Sequence, residues 1–399
     1  MLYKDLSADL KDLASKELYR HRKSIEDVKG AKIRINNQWV YNFSSNDYLG
    51  LTQNKIIKKS IVDGIKKYGN GSGSSHLISG HYAIHDQLEK LTAESLGFDK
   101  SILFSSGFSA NIGVITALCG RKDTIFSDKL NHASLNEASL LSRSKFIRYR
   151  HLDFSHLEQL LRKNNGRRKL IISDAVFSMD GDLIDLPVLL NICEKYDAYL
   201  YVDDAHGYGV LGTNGQGILE HYFPKLNLTA KQKKRIIYMF TLGKSVGVSG
   251  AMVVANSEII DYLIQKAKTY IYTTALSPAF ADGIITSLEI IKKGKELRRK
   301  LFESINLLRG TIKNKMLLSD SITPIQPILI NHTNYSIEIS EKLLEEGFYV
   351  PVIRPPTVPR NTSRLRISIS ALHRPKEIKR LAELINLNTK QLNAYKYQR

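Results

Sequence analysis

Lys244 follows an apolar run at 236–240 and stands among Thr241, Leu242 and Gly243, with Gly247 and Gly250 just beyond. An amine in that position is poorly solvated. Full burial can depress an ammonium pKa by about 3–5 units, each worth about 1.36 kcal/mol. Few folds keep such a group without a use for the neutral amine. The chief use is a Schiff base with a carbonyl. In a lysine-rich chain an ordinary loop lysine is the alternative, so the other polar groups must decide.

Polar groups gather after other apolar runs too. Ser105-Ser-Gly-Phe-Ser-Ala-Asn111 follows 102–104 and opens a helix. Amides at a helix N-terminus hold an anion such as phosphate, and an ordinary serine cap fits the same residues equally well. Asp128 to Ser134 follows 124–126 and carries His132, either a satisfied loop histidine or a flat ring that stacks on a planar ligand. Ser173 to Asp182, including Ser178, follows 169–172. After 199–202 come Asp203, Asp204, Ala205 and His206. Two carboxylates at the end of a buried strand need a cation. With no second histidine or cysteine nearby they are a poor metal set, and no metal is expected. A protonated heteroaromatic nitrogen would satisfy Asp203. Near the C-terminus, Arg364, Arg366, Ser368 and Ser370 alternate with Leu365, Ile367 and Ile369, which puts both arginines on one strand face. The arginine fork suits a carboxylate, and a surface pair is the alternative, more so for Arg364. One ligand accounts for the whole set: it has a phosphate, a planar ring, a basic ring nitrogen and an aldehyde. That ligand is pyridoxal phosphate (PLP), an electron sink when a carbanion forms.

The elements that must place these groups alternate from about 101 to 255. Short apolar strands at 102–104, 124–126, 169–172, 199–202, 236–240 and 251–255 are separated by helices at 108–118, 134–141 and 186–196. That pattern predicts an α/β fold with a mostly parallel sheet covered on both faces, and ligands then sit at the carboxyl ends of its strands. Upstream, residues 1 to about 28 read as an amphipathic helix with a basic end at Arg20 to Lys23. A hairpin turns at Asn36-Asn37. The polar stretch 42–51 is anchored by aromatic and leucine side chains. Residues 69–80 are Gly/Ser-rich but lack a P-loop ending, so their glycines suit close approach to a partner chain or a ligand. Residues 218–235 read as a solvated basic insertion. A long helical stretch at 280–315 leads into a smaller α/β unit with strands at 327–330, 348–350 and 365–370 and a last helix at 375–387. The expected division is an N-terminal arm (1–45), a large cofactor-binding domain (46–280) and a small C-terminal domain (281–399).

The chain has 399 residues, 43% of them hydrophobic, enough for a large core. Its formal charge of +19 suggests an anionic partner or substrate. The lysines are spread out, without zinc-finger or aromatic-basic RNA motifs, which argues against nucleic-acid binding as the main function. No apolar run is long enough to cross a bilayer, and the charged start does not resemble a signal peptide. Cys119 and Cys193 are far apart and read as buried thiols, which fits a reducing cytoplasm.

Several long motifs carry a resemblance: Asn42-Phe-Ser-Ser-Asn-Asp-Tyr-Leu-Gly, Leu130-Asn-His-Ala-Ser, Val176-Phe-Ser-Met-Asp-Gly-Asp, Val202-Asp-Asp-Ala-His-Gly, Thr241-Leu-Gly-Lys and Ile353-Arg-Pro-Pro-Thr-Val-Pro. With them the chain resembles the α-oxoamine synthases, fold-type I PLP-dependent transferases, from about Arg20 to about Leu387. The resemblance implies a large domain with a mostly parallel sheet and a smaller C-terminal α/β domain. Asp-Asp-Ala-His and Ile-Arg-Pro-Pro-Thr-Val-Pro favour the member of the family that acts in biotin biosynthesis. That member joins L-alanine to a pimeloyl thioester, carried on coenzyme A or acyl carrier protein, with loss of carbon dioxide. Sister activities with glycine and other acyl-CoA donors are the alternatives, and a non-catalytic basic binding protein on the same fold is the remote one.

The same resemblance implies the roles. Lys244 would hold PLP and move the Cα proton, Asp203 would pair with the ring nitrogen, and His132 would stack on the ring and touch substrate. Ser178 and His206 would address the ring hydroxyl. Gly107, Phe108 and Thr241 would hold the phosphate, joined by Thr274 of a second copy in a homodimer with a shared active site. Arg366 would grip the amino-acid carboxylate, with Arg20, Asn46 and Thr357 as further substrate contacts. Two departures stand out: Phe108 where many relatives have tyrosine, and Asn361 where glycine is usual.

Overall fold

Strands of five or six residues, most of them apolar, form the centre of the molecule. The structure is a computed structural model that describes residues 2–16, 18–164, 166–355, 357–359 and 361–390. Its strands are β1 (Asp27–Lys29), β2 (Lys32–Ile35), β3 (Gln38–Asn42), β4 (Lys100–Phe104), β5 (Thr124–Asp128), β6 (Lys145–Tyr149) and β7 (Lys169–Asp174). They continue with β8 (Tyr199–Asp203), β9 (Ile236–Thr241), β10 (Ala251–Ala255), β11 (Ile325–Leu329), β12 (Phe348–Tyr349), β13 (Val352–Ile353) and β14 (Arg364–Ser368). The main sheet has seven strands in the order β4-β10-β9-β8-β7-β5-β6. Only β10 runs antiparallel to its neighbours. Its inner strands are buried along almost their whole length, as expected when helices cover both faces. The mostly parallel α/β sheet predicted from the alternating pattern is therefore present.

The smaller parts differ from expectation in instructive places. The N-terminal helix covers Leu2–Ser15, not 1 to about 28, and none of its residues is buried. Charge at helical spacing continues past Ser15, but none of the described residues from Lys16 to Glu26 is buried, so no apolar face fastens a helix there. The hairpin turns where predicted, with Asn36 and Asn37 at φ 49° and 60°, the left-handed pair of a type I′ turn. The strand expected at 348–350 does not join the small C-terminal sheet, whose order is β11-β14-β13. It appears as β12 and runs parallel to β3, extending the N-terminal sheet. The helical stretch 280–315 is two helices, Pro278–Lys293 and Lys295–Thr311, separated at Gly294. The insertion 218–235 is not wholly solvated. Ile218, Leu219 and Leu228 are buried in the core, and the helix Ala230–Lys233 has no buried residue. Strand β6 and the helix Phe154–Arg162 were not foreseen. Both cysteines are buried. Among the described residues no helix is long and apolar enough to cross a membrane.

Candidate active site

The carboxyl ends of β8 and β9 and the start of the helix Gly107–Leu118 enclose a cavity of about 180 Å³. Eight residues singled out in the sequence line it: Gly107, Phe108, His132, Ser178, Asp203, His206, Thr241 and Lys244. Asn111, Ser134, Asp174, Ala205 and Met239 line it as well.

Lys244 sits in a tight turn after β9. Its carbonyl accepts the Gly247 amide at 2.9 Å, and the Val246 carbonyl is pinned by Ser287 Oγ at 2.6 Å. Its Nζ lies 2.7 Å from His206 Nε2. Burial lowers the Lys244 pKa to about 8, with Arg366 acting in the same direction and Asp203, Asp174 and Asp204 opposing. The neutral amine is thus accessible near neutrality, as the strand-end position implied.

Asp203 ends β8 beneath the cavity. Its Oδ1 accepts the Ala205 amide at 3.0 Å and its Oδ2 accepts Asn111 Nδ2 at 2.8 Å. Asn111 is itself fully engaged. Its amide nitrogen also donates to Ser134 Oγ at 2.8 Å, and its oxygen accepts the Tyr201 hydroxyl at 2.6 Å. Ser134 Oγ lies 2.7 Å from His132 Nδ1, and the Ser134 amide donates to the same nitrogen. His132 Nδ1 is therefore the acceptor and its proton sits on Nε2. Burial lowers the His132 pKa, so the ring is a neutral, flat surface. The His132 amide donates to Asp174 Oδ2 at 2.8 Å. Burial, together with the Asp203 charge, raises the Asp174 pKa well above the ordinary carboxylate range. Sequence reasoning missed Asn111, Ser134 and Asp174. Only Asn111 had a usable signal, since it lies one helical turn beyond Gly107 and so on the same face.

The neighbouring carboxylate faces elsewhere. Asp204 is fully buried, and its Oδ2 accepts the Tyr238 hydroxyl at 2.6 Å and the Ile218 amide at 2.7 Å. A Cβ at Gly207 or Gly217 would lie only 2.1 or 2.0 Å from its oxygens, so both positions require glycine. Asp204 thus fastens the loop that follows β8 and does not line the cavity.

Arg366, on β14, reaches the site from the small C-terminal sheet. Its Nε donates to the Ser178 carbonyl at 2.6 Å, Nη1 to Ser368 Oγ at 2.9 Å and Nη2 to Asn46 Oδ1 at 3.2 Å. A guanidinium has five N–H donors, so one on each terminal nitrogen remains for a ligand. Arg364 is not a surface residue. It is as buried as Arg366 and pairs with Asp180, so the two arginines hold the 178–180 segment against β14.

Five predicted contacts are not part of the cavity lining: Arg366 and Asn46, which bond each other, and three more. Arg20, Thr357 and Thr274 are exposed in this chain. Arg20 and Thr357 both flank Arg354, whose guanidinium reaches the Tyr19 carbonyl and whose own carbonyl accepts the Thr357 amide. Thr274 forms an isolated bridge with Ser75 in the Gly/Ser-rich stretch. Phe108 is half-exposed at the cavity lip. Asn361 has φ 61°, a left-handed conformation in which asparagine is the commonest substitute for glycine. That departure from the family pattern keeps the backbone geometry.

The donor set fits PLP. A buried amine, a carboxylate already oriented by two donors, a neutral flat imidazole and the first amides of a helix converge on one cavity. Comparison with known proteins agrees. Residues 39–385 match the aminotransferase class I and II family. The chain is 44% identical to the 8-amino-7-oxononanoate synthase of Aromatoleum aromaticum, over 97% of this chain and 98% of that one. Among solved structures it is similar to the 8-amino-7-oxononanoate synthase of Francisella tularensis, with TM-score 0.76, 32% identity and coverage of 90% and 99% of the two chains. It is also similar to a lysine-to-alanine variant of serine palmitoyltransferase from S. paucimobilis with a bound PLP–myriocin aldimine, with TM-score 0.89, 25% identity and coverage of 98% of each chain.

Proposed function

The chain belongs to the class I and II aminotransferase family and, within it, to the 8-amino-7-oxononanoate synthases, and from that premise we propose the following reading of its site. It is a PLP-dependent acyltransferase of biotin biosynthesis. It joins L-alanine to a pimeloyl thioester and releases carbon dioxide and the free thiol carrier to give 8-amino-7-oxononanoate. The observation that carries this reading is the buried Lys244 amine beside Asp203, with a half-free Arg366 fork held on the carbonyl of Ser178, a residue of the cavity lining. When bound, PLP supplies an electron sink for the charge left at the amino-acid Cα.

The chain's own groups supply the rest. Lys244 holds the cofactor covalently and then moves the Cα proton. Asp203, held by Asn111 and the Ala205 amide, faces the ring nitrogen. His132 covers the ring and contacts substrate, while His206 and Ser178 address the ring hydroxyl. Amides at Gly107 and Phe108, with the Thr241 hydroxyl, receive the phosphate. Arg366 orients the alanine carboxylate with Asn46 beside it, and Arg20 and Thr357 close over the substrate from the Arg354 side. Mass spectrometry of the product from alanine and pimeloyl thioester tests the reaction. Condensation of glycine with a short acyl-CoA in its place would transfer the chain to a sister activity.

A homodimer completes this reading. The N-terminal helix carries Leu2, Leu6, Leu10 and Leu13 exposed along one side, and Ile78 and Tyr272 are 80% and 78% exposed. Apolar surface of this kind favours a second copy. The exposed Thr274 would then reach the other copy's phosphate site. A cytoplasmic location accords with the two reduced, buried thiols.

Arg366→Lys is expected to weaken alanine binding although the charge is kept. Lysine cannot hold Ser178, Ser368 and Asn46 while offering two further N–H groups. The alanine dissociation constant, read from the change in the visible spectrum of the loaded enzyme, should rise by about tenfold or more, the scale of one lost charge-assisted hydrogen bond. An unchanged constant would remove Arg366 from the carboxylate site.

The +19 charge bears on the acyl donor, since both carriers of the pimeloyl group are anionic. Steering by exposed lysines raises the on-rate and is screened within about 10 Å at 0.1 M salt. The kcat/KM for the thioester should therefore fall steeply with salt, while alanine binding at the buried Arg366 should change little. Charge reversal at Lys231, Lys233 and Lys234 should flatten the salt curve more for a carrier-protein donor than for coenzyme A. A salt-independent kcat/KM with both donors would leave the excess charge without a part in donor capture.

A further inference from the structure

Arg366 can only donate hydrogen bonds, and this fixes the direction of a chain that ends at Lys244. Arg366 Nη2 lies 3.2 Å from the Asn46 side chain, so the Asn46 atom facing it is the oxygen. The same oxygen lies 3.1 Å from Tyr48 Oη. A phenol has one proton, and an amide oxygen can only accept it. Tyr48 therefore donates to Asn46 and must accept at its other contact, His206 Nδ1, 2.7 Å away. That contact is buried, and Tyr48 has no exposed surface at all. Burial, reinforced by the neighbouring Lys244 and Arg366 charges, keeps His206 neutral, with a single ring proton. The proton is then on Nδ1, and the lone pair on Nε2 faces Lys244 Nζ at 2.7 Å.

We propose that Tyr48 is a positioning residue that locks His206 in its Nδ1–H tautomer in the cofactor-free protein, so that Nε2 is presented as a hydrogen-bond acceptor to the Lys244 amine. The alternative tautomer would aim an N–H at the Lys244 ammonium and leave the Tyr48 proton with two acceptors and Nδ1 with no proton to give. Of the other groups around Lys244, Arg366 also meets Tyr48, directly and through Asn46. Asp203, Asp174 and Asp204 favour the ammonium, while burial and the Arg366 charge oppose it. The hydroxyl of Tyr48 thus acts on the lysine through His206, while its contacts with Asn46 and Arg366 bear on the binding of alanine. The kinetic consequence rests on Lys244 being the reacting amine, whereas the tautomer does not.

Two measurements test this. In cofactor-free protein labelled with ¹⁵N-histidine, with His206 assigned by its loss in His206→Gln, the ring should show a protonated Nδ1 and a bare Nε2. The reverse pattern in wild-type protein, or rapid averaging between the two, overturns the assignment whatever any variant does. Tyr48→Phe keeps the ring and removes only the hydroxyl. The Lys244 pKa in the cofactor-free variant should fall by about one unit, read from the pH dependence of amine labelling at Lys244 by peptide mapping, because the ammonium loses a reliable acceptor. In the loaded variant kcat should fall by more than KM for alanine rises. An unchanged lysine pKa together with a raised KM would mean that Tyr48 only props Asn46, and the positioning role fails. If borohydride mapping shows another lysine holding the cofactor while the tautomer is as stated, the functional reading of Lys244 fails and the tautomer lock stands.

Discussion

Lys244→Ala is expected to abolish turnover while leaving a protein that still binds PLP. Loss of proton transfer alone removes about 10²–10⁴ in rate, and loss of the covalent hold adds to it. Binding should persist because the other contacts do not run through the lysine. Asp203 keeps both of its orienting donors, and the first amides of the helix Gly107–Leu118 are unaffected. The backbone should hold as well, since the turn is fixed by the Lys244 carbonyl and by Ser287 on the Val246 carbonyl, neither of which involves the amine. Borohydride reduction of the wild-type enzyme followed by peptide mapping identifies the lysine directly. A pyridoxyl label on any other lysine, or substantial residual turnover in the variant, would displace Lys244 from the chemistry.

The groups that sequence reasoning located are those whose chemistry is local to a strand end. Asp203, Lys244 and His132 each follow a short apolar run, and burial of that run is enough to make the next polar residue significant. The groups it missed act through partners distant in the chain. Asn111 meets Asp203 across 92 residues and Tyr48 meets His206 across 158, and no local periodicity records such contacts. Tyr48 was legible only as an apolar anchor, which it also is. The same distinction explains the fold. The inner strands of the main sheet were evident from hydrophobicity, whereas β6 has an exposed Lys145 and Arg148 at the sheet edge and carries no such signal. β12 has two residues, and its pairing with β3 depends on a surface some 300 residues earlier in the chain. The N-terminal helix was overextended because charge spacing reports what a helix could do, while its length is set by packing, and no described residue from Leu2 to Glu26 is buried.

Asp203→Asn is expected to lower kcat by about 10²–10³, the usual cost of removing one preorganised electrostatic contact, and Asp204→Asn by far less. The two residues are adjacent and both are buried, so composition and burial do not separate them; their partners do. Asp203 is held by Asn111 and the Ala205 amide and lines the cavity. Asparagine there keeps the shape and loses the charge that would keep a ring nitrogen protonated. Asp204 turns away to Tyr238 and the Ile218 amide, and an asparagine oxygen can accept both bonds. A second, independent signature follows from burial, which raises the Asp204 pKa from 3.8 to about 7. A carboxyl whose folded pKa is raised contributes its full stability below its unfolded pKa and loses it as pH rises through the folded value. Wild-type protein should therefore lose stability through this group between about pH 4 and pH 7. Asp204→Asn should lack that component, so its Tm relative to wild type should climb across the same interval. Asp203→Asn should show the activity loss without that climb. Equal losses of kcat in the two variants, or the larger loss in Asp204→Asn, would move the ring-nitrogen role away from Asp203 and require Asp204 to turn toward the cavity when the cofactor binds.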